Sequence, residues 1–180
     1  MKRYTSLPIL LRPLAEAPVQ AKLTNALQVA DVLEWILEQV GPAEVWQTSF
    51  SISEEFLRRL YFIQRKHVVH GFHLILDMKA TNKTIKLWSF IRQVMKDTAL
   101  SANHSKLILV KADSGETVSV ITSQNLTRGN RQECYLITTD KGVFAQYFAD
   151  LMEFVQYHSV PFKEVYEDKT YGSQQDEQEE

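Results

Sequence analysis

The sequence predicts an α/β fold, a mixed sheet flanked by helices, and three observations predict it. Short apolar runs of strand length alternate with longer stretches whose apolar residues recur at helical spacing. The length of 180 residues suits one compact domain with its own core. A hydrophobic content of 44% beside 23% charged residues is that of an ordinary globular chain.

Taken in order, residues 1–20 carry Pro8, Pro13 and Pro18, which interrupt regular structure, so an extended arm packed on the body or on a partner is expected there. Lys2 and Arg3 precede the apolar run Leu7-Pro8-Ile9-Leu10-Leu11, but a run this short, broken by Pro8 and closed by Arg12-Pro13, makes a poor secretory signal. No later segment approaches the ~18 apolar residues of a membrane span, and a cytoplasmic protein is expected. From Ala21 to Val40 the positions Leu23, Leu27, Ala30, Val32, Leu33, Ile36, Leu37 and Val40 have helical spacing, and Gly41-Pro42 stops the helix they predict. This opens a main domain expected over residues 21–160.

A strand is predicted from Ala43 to Ser49. Ser51 or Ser53 then caps a helix that carries Glu54 and Glu55 in its first turn and runs to about Lys66. Gly71 to Asp77 reads as the next strand and Lys83 to about Met95 as the next helix, with a weakly marked strand from Thr98 to Ala102. Strands at Ser105–Ala112, Thr117–Thr122 and Glu133–Thr138 follow, and Lys141 to about Tyr157 is a closing helix whose aromatics Phe144, Tyr147, Phe148, Phe154 and Tyr157 are expected in the core, as are Trp46 and Trp88. Residues 161–180 form a terminal segment that ends in the acidic, expectedly disordered run Asp176-Glu177-Gln178-Glu179-Glu180. No internal repeat is apparent.

The net charge of −2 provides no basic footprint of the kind that announces nucleic-acid binding, although the acidic tail masks a slightly basic body. The single cysteine, Cys134, excludes an intramolecular disulfide and is expected to be a small core residue. His67, His70 and His73 have ligand-like spacing, yet positions 70 and 73 fall on opposite faces of a strand and no carboxylate or cysteine completes a metal pattern, so no metal and no cofactor are expected. Arg58, Arg59, Arg65 and Lys66 read as a solvated helix face.

The strongest chemical signal is His104-Ser105-Lys106, followed across a hairpin by Thr122-Ser123-Gln124-Asn125 and then Glu133. An imidazole can attack phosphorus or carry a proton, an ammonium neutralises phosphate oxygens, and an amide donates a hydrogen bond without adding charge. On a strand, positions 104 and 106 share a face. Arg128 and Arg131 flank this region, where they could hold phosphate.

The run from residue 104 to residue 133 resembles the signature region of the phospholipase D superfamily: His-x-Lys, four residues, Asp, then Gly/Ser-Ser-x-Asn and an acidic residue. His104, Lys106, Ser123, Asn125 and Glu133 match it in type and order. Lys111 stands where that motif has Asp, with Asp113 two residues later, and Thr122 stands for Gly. Branches such as the tyrosyl-DNA phosphodiesterases keep His, Lys and Asn without the Asp. A longer hairpin at Asp113-Ser114-Gly115-Glu116 absorbs the extra length before Asn125.

The resemblance implies a phospholipase D-like fold and a metal-independent phosphodiesterase, more readily a nuclease than a lipase. His104, Lys106, Asn125 and Glu133 would be catalytic, and Ser123, Arg128 and Arg131 would contact substrate. In that family two His-x-Lys motifs meet at one site, one histidine forming a phosphohistidine and the other serving as general acid. A chain with one copy therefore implies a homodimer. Glu133 would accept an imidazole N–H and set the tautomer. Two other readings stand beside this one: a catalytically silent module of the same fold that binds nucleic acid or a protein partner, and an unrelated α/β binding domain with a chance motif.

Overall fold

The computed structural model describes residues 7–80 and 84–167. Eight strands form one mixed sheet: β1 (Val19–Thr24), β2 (Ala43–Ser49), β3 (Val69–Asp77), β4 (Asp97–Ser101), β5 (Leu107–Ala112), β6 (Thr117–Thr122), β7 (Glu133–Thr138) and β8 (Ser159–Pro161), in the spatial order β1-β7-β6-β5-β2-β3-β4-β8. The helices are α1 (Leu7–Leu10), α2 (Val29–Val40), α3 (Glu54–Lys66), α4 (Trp88–Val94) and α5 (Lys141–His158), with a single 3₁₀ turn at Met78–Ala80. β2, β3 and β4 run parallel, and the remaining pairings are antiparallel. Parallel neighbours need long crossovers, and α3 and α4 lie in those connections.

The sheet's two faces are covered unequally. Apolar residues of one pleat, among them Val45, Phe72, Leu74, Ile108, Val110 and Val120, join Leu33, Ile36 and Leu37 of α2 and Leu57, Leu60 and Ile63 of α3 in the larger core. On the other pleat Trp46, Ile75, Leu107 and Leu109 meet α5, chiefly through the buried Phe144 and Leu151. The pleat decides which residue goes where, because neighbours along a strand point to opposite faces.

Local chemistry explains most boundaries. The Ser53 hydroxyl accepts the Phe56 N–H at 3.2 Å, and Glu54 and Glu55 in the first turn with Arg65 and Lys66 in the last complement the dipole of α3. Asp140 caps α5 by accepting the Val143 N–H at 2.8 Å. α2 ends at Gly41, whose φ of 79° lies in the left-handed region, and Gly115 with φ of 84° turns the β5–β6 hairpin. β2, β6 and β7 occupy the ranges that their apolar patterns predict.

Five expectations are corrected. The predicted helix from Ala21 is two elements, β1 and then α2 from Val29. β1 supplies the outer hydrogen-bonding edge of β7, Val19 opposite Thr138 and Thr24 opposite Glu133, and that demand overrides helical spacing. The helix predicted from Lys83 is interrupted, with helical residues at 84–85, a turn at 86–87 and α4 from Trp88, Lys83 itself lying outside the described residues; the strand predicted from Ser105 begins at Leu107. Cys134 is exposed rather than buried. It pairs with Leu23 at the β1–β7 end, on the pleat where Leu23 remains 76% exposed because α5 does not reach it. Of the α5 aromatics, Phe144 is buried, while Tyr147 and Tyr157 are exposed. β8, unmarked in the sequence, closes the far edge on β4, followed by a helical turn over 162–167 whose buried Phe162 packs edge-on against Trp88 at 4.8 Å. The acidic tail lies outside the described residues.

Candidate active site

The ends of β2, β3, β4 and β6 and the starts of β5 and β7 meet at one rim of the sheet, and the motif residues lie there. His104 and Lys106 belong to the extended approach to β5 rather than to the strand itself. They are still side by side: Lys106 Nζ donates to the His104 carbonyl at 2.6 Å and lies 3.3 Å from His104 Nδ1. Burial disfavours the ammonium and outweighs the charges of Glu133 and Asp77, so the pKa of Lys106 is lowered from its ordinary value. Phe50 flanks the imidazole, with ring centroids 5.4 Å apart.

The approach is held by a residue that the sequence reading did not single out. Asn103 is buried; its N–H donates to Asp77 Oδ2 at 3.0 Å and its amide nitrogen to the Ser49 carbonyl at 3.3 Å. Its Oδ1 accepts from Ser105 N at 3.0 Å and Ser105 Oγ at 2.6 Å. Thr48 Oγ1 lies 2.7 Å from Ser105 Oγ and accepts the Leu107 N–H, tying the approach to β2. The signal for Asp77 and Asn103 was a polar residue at the end of an apolar strand and another beside the motif histidine. Polar groups buried in such places are retained where hydrogen bonds satisfy them.

The Ser-Gln-Asn turn divides its labour. The Ser123 hydroxyl donates to Glu133 and accepts the Cys134 N–H at 3.1 Å. Gln124 turns inward, where its Oε1 accepts Val29 N at the start of α2 and the Tyr135 hydroxyl, so this turn supplies the cap that fixes where α2 begins. Asn125 Oδ1 lies 3.3 Å from Ser49 Oγ, and the same hydroxyl accepts Leu126 N at 3.0 Å. Ser49 therefore touches both loops, Asn103 through its carbonyl and Asn125 through its hydroxyl.

Glu133 takes the Ser123 hydroxyl within its own chain. The two flanking arginines separate: Arg128 is paired with Glu55 at 2.7 Å, and Arg131 is exposed. The basic face of α3 is engaged as well, Arg58 with Glu54, Arg59 with Asp31 and Glu34, and Lys66 with Glu34 and Glu38. Among the described residues, the mixed group that could gather around a cation is Glu34, Glu38 and His67, and the Lys66 ammonium already sits on both carboxylates at 2.9 and 2.8 Å.

A cleft of about 820 Å³ opens beside the motif, with His104, Lys106 and Ser123 on one side and Tyr147, Asp150, Leu151 and Phe154 of α5 on the other. Leu107 and Ile121 complete its sheet wall.

No protein-family model matches the sequence, and no curated protein does. Solved structures match well. The phospholipase D family member Nuc from Salmonella typhimurium is 14% identical with a TM-score of 0.58, the match covering 79% of this chain and 96% of that one. NucT from Helicobacter pylori is 12% identical with a TM-score of 0.52 over 78% of this chain and 98% of its own. TrmBL2, an archaeal chromatin protein described as showing a novel mode of DNA binding, is 13% identical with a TM-score of 0.52, over 84% of this chain and 57% of its own. Among the described residues no helix is long and apolar enough to cross a membrane. The mixed sheet and its flanking helices give this chain the fold of Nuc and NucT, matched over 96% and 98% of those chains and 79% and 78% of this one.

Proposed function

We propose that the chain is a metal-independent phosphodiesterase that cleaves nucleic acid through a phosphohistidine at a homodimer interface. The observation that carries this reading is the His104–Lys106 pair on the rim of an open cleft, with the Ser123–Glu133 pair and Asn125 gathered at the same end of the sheet. The phospholipase D fold supports it, as does the DNA binding described for one of the proteins that share that fold.

For His104 Nε2 to attack, Nδ1 must carry the ring proton, so Lys106 serves the ring as a neighbouring charge and donates to the His104 carbonyl rather than to Nδ1. His104 Nε2 attacks phosphorus, an N–P bond forms, and the bond to the leaving oxygen breaks. That oxygen takes a proton from the partner subunit's His104. The same imidazole then removes a proton from water, whose oxygen displaces His104 and returns both histidines to their starting states. Lys106 and Asn125 stabilise charge on the non-bridging oxygens. Glu133 acts through Ser123, Arg131 is free to meet a flanking phosphate, and Arg128 would have to leave Glu55 to do so.

Hydrolysis of bis-p-nitrophenyl phosphate and of an oligonucleotide in the presence of chelator, with the oligomeric state measured in parallel, tests the proposal. Turnover by a dimer that chelator does not reduce is expected. The alternative, a silent module that binds nucleic acid or a protein partner, draws on Lys111 in place of the motif Asp and on Glu133 being engaged away from the imidazole. Oligonucleotide binding without turnover would favour it.

A further inference from the structure

The cleft beside the motif points to the kind of strand this site takes. We propose that it receives one unpaired nucleobase next to the phosphodiester held at His104 and Lys106, so that the substrate is single-stranded or locally unpaired nucleic acid. This rests on the nucleic-acid reading above and refines it.

The cleft runs directly from the phosphate-holding pair, since His104, Lys106 and Ser123 line it. Its walls are apolar and partly aromatic, with Leu107 and Ile121 facing Leu151, Phe154 and Tyr147. A base is a flat apolar body with a polar rim, and aromatic side chains stack on any of them. Tyr147 is 40% exposed on a helix that buries Phe144 and Leu151 for its packing, so its ring serves no core.

The α5 wall also carries Asp150, exposed and bonded to Gln146 Nε2 at 2.8 Å. An ionised carboxylate only accepts hydrogen bonds. It repels a second phosphate, and beyond its bond to Gln146 it has lone pairs left for the N–H groups on a base edge. A base inside a duplex is stacked and paired, and it reaches a cleft of this kind only after unstacking.

The experiment reads binding by fluorescence anisotropy and cleavage separately, so that a silent site does not hide the answer. The probes are a short oligothymidylate, the same strand annealed to its complement, and an abasic strand of equal length, with phosphatidylcholine vesicles as the competing class. The single strand should bind about tenfold or more tightly than the duplex or the abasic strand. Tyr147→Ala should bring the oligothymidylate-to-abasic ratio close to one, while Tyr147→Phe, which keeps the ring, should preserve it. Equal affinity for the thymidylate and abasic strands, an unchanged ratio in Tyr147→Ala, or preferential binding of vesicles overturns the inference. Base-dependent binding with no cleavage of any probe overturns the phosphodiesterase reading and leaves the base cleft standing.

Discussion

Two histidines near opposite ends of the central strands show how neighbours set the work of an imidazole. His73, on β3, donates from Nδ1 to Asp97 at 2.6 Å and from Nε2 to Glu44 at 2.9 Å, under Trp46 stacked at 5.0 Å. Lys96 shares Glu44 at 2.8 Å. A ring with a carboxylate on each nitrogen is an imidazolium, because a neutral imidazole has one N–H to give. Burial works against that charge, but the bonds to Asp97 and Glu44 outweigh it and hold the His73 pKa above the ordinary value. The hydrogen bond from Lys96, burial notwithstanding, helps hold the Glu44 pKa low. This group ties β2, β3 and β4 together. His104 instead has a cation beside its ring, Lys106, and an open cleft in front of it. One imidazole is saturated and structural; the other is left with a nitrogen to use.

If that contrast is right, the two sites separate under mutation. The largest effect should come from His104→Ala or Lys106→Ala, which should reduce phosphodiester hydrolysis by about 10²–10⁴-fold or more with the melting temperature almost unchanged. Substantial activity in either variant would remove the site assignment. Asn103→Ala should cost activity next, because it frees the approach that carries His104, and roughly 1–3 kcal/mol of stability, because the Ser49 carbonyl and the Ser105 groups lose a buried partner. Asn103→Asp should recover part of the Oδ1 bonding, a difference visible in kcat.

His73→Ala should show the reverse pattern, about 1–3 kcal/mol lost in denaturant unfolding with hydrolysis retained. A hydrolytic defect as large as that of His104→Ala would show that the two ends are coupled. The same group predicts a pH trend. Because the folded pKa of His73 is raised, its contribution is fully present below the unfolded value near 6.5 and is lost as pH rises through the higher folded value, so the wild type should lose stability relative to His73→Ala over that window. The smallest expected effect concerns Cys134. The native protein should react with a thiol reagent at a rate near that of the unfolded chain, since this residue is exposed on β7; strong protection would show that something covers the β1–β7 end in solution.

The strand and helix alternation, a serine cap on α3, the bounds of β2, β6 and β7 and the identity of the motif residues were all legible in the sequence, because each depends on chemistry within a few neighbouring residues. What lay beyond it were features set by contacts distant along the chain. Val29 starts α2 because Gln124, 95 residues away, accepts its N–H, and Ala21 joins a strand because β7 needs an outer partner. Cys134 and Tyr147 are exposed because the pleat under α5 is covered less fully than the pleat under α2 and α3, which no local pattern encodes. Asn103 and Ser49 join the site for the same reason: a buried polar group takes its meaning from the partner that satisfies it, and here those partners come together only when β2, β3 and the approach to β5 are packed at one rim of the sheet.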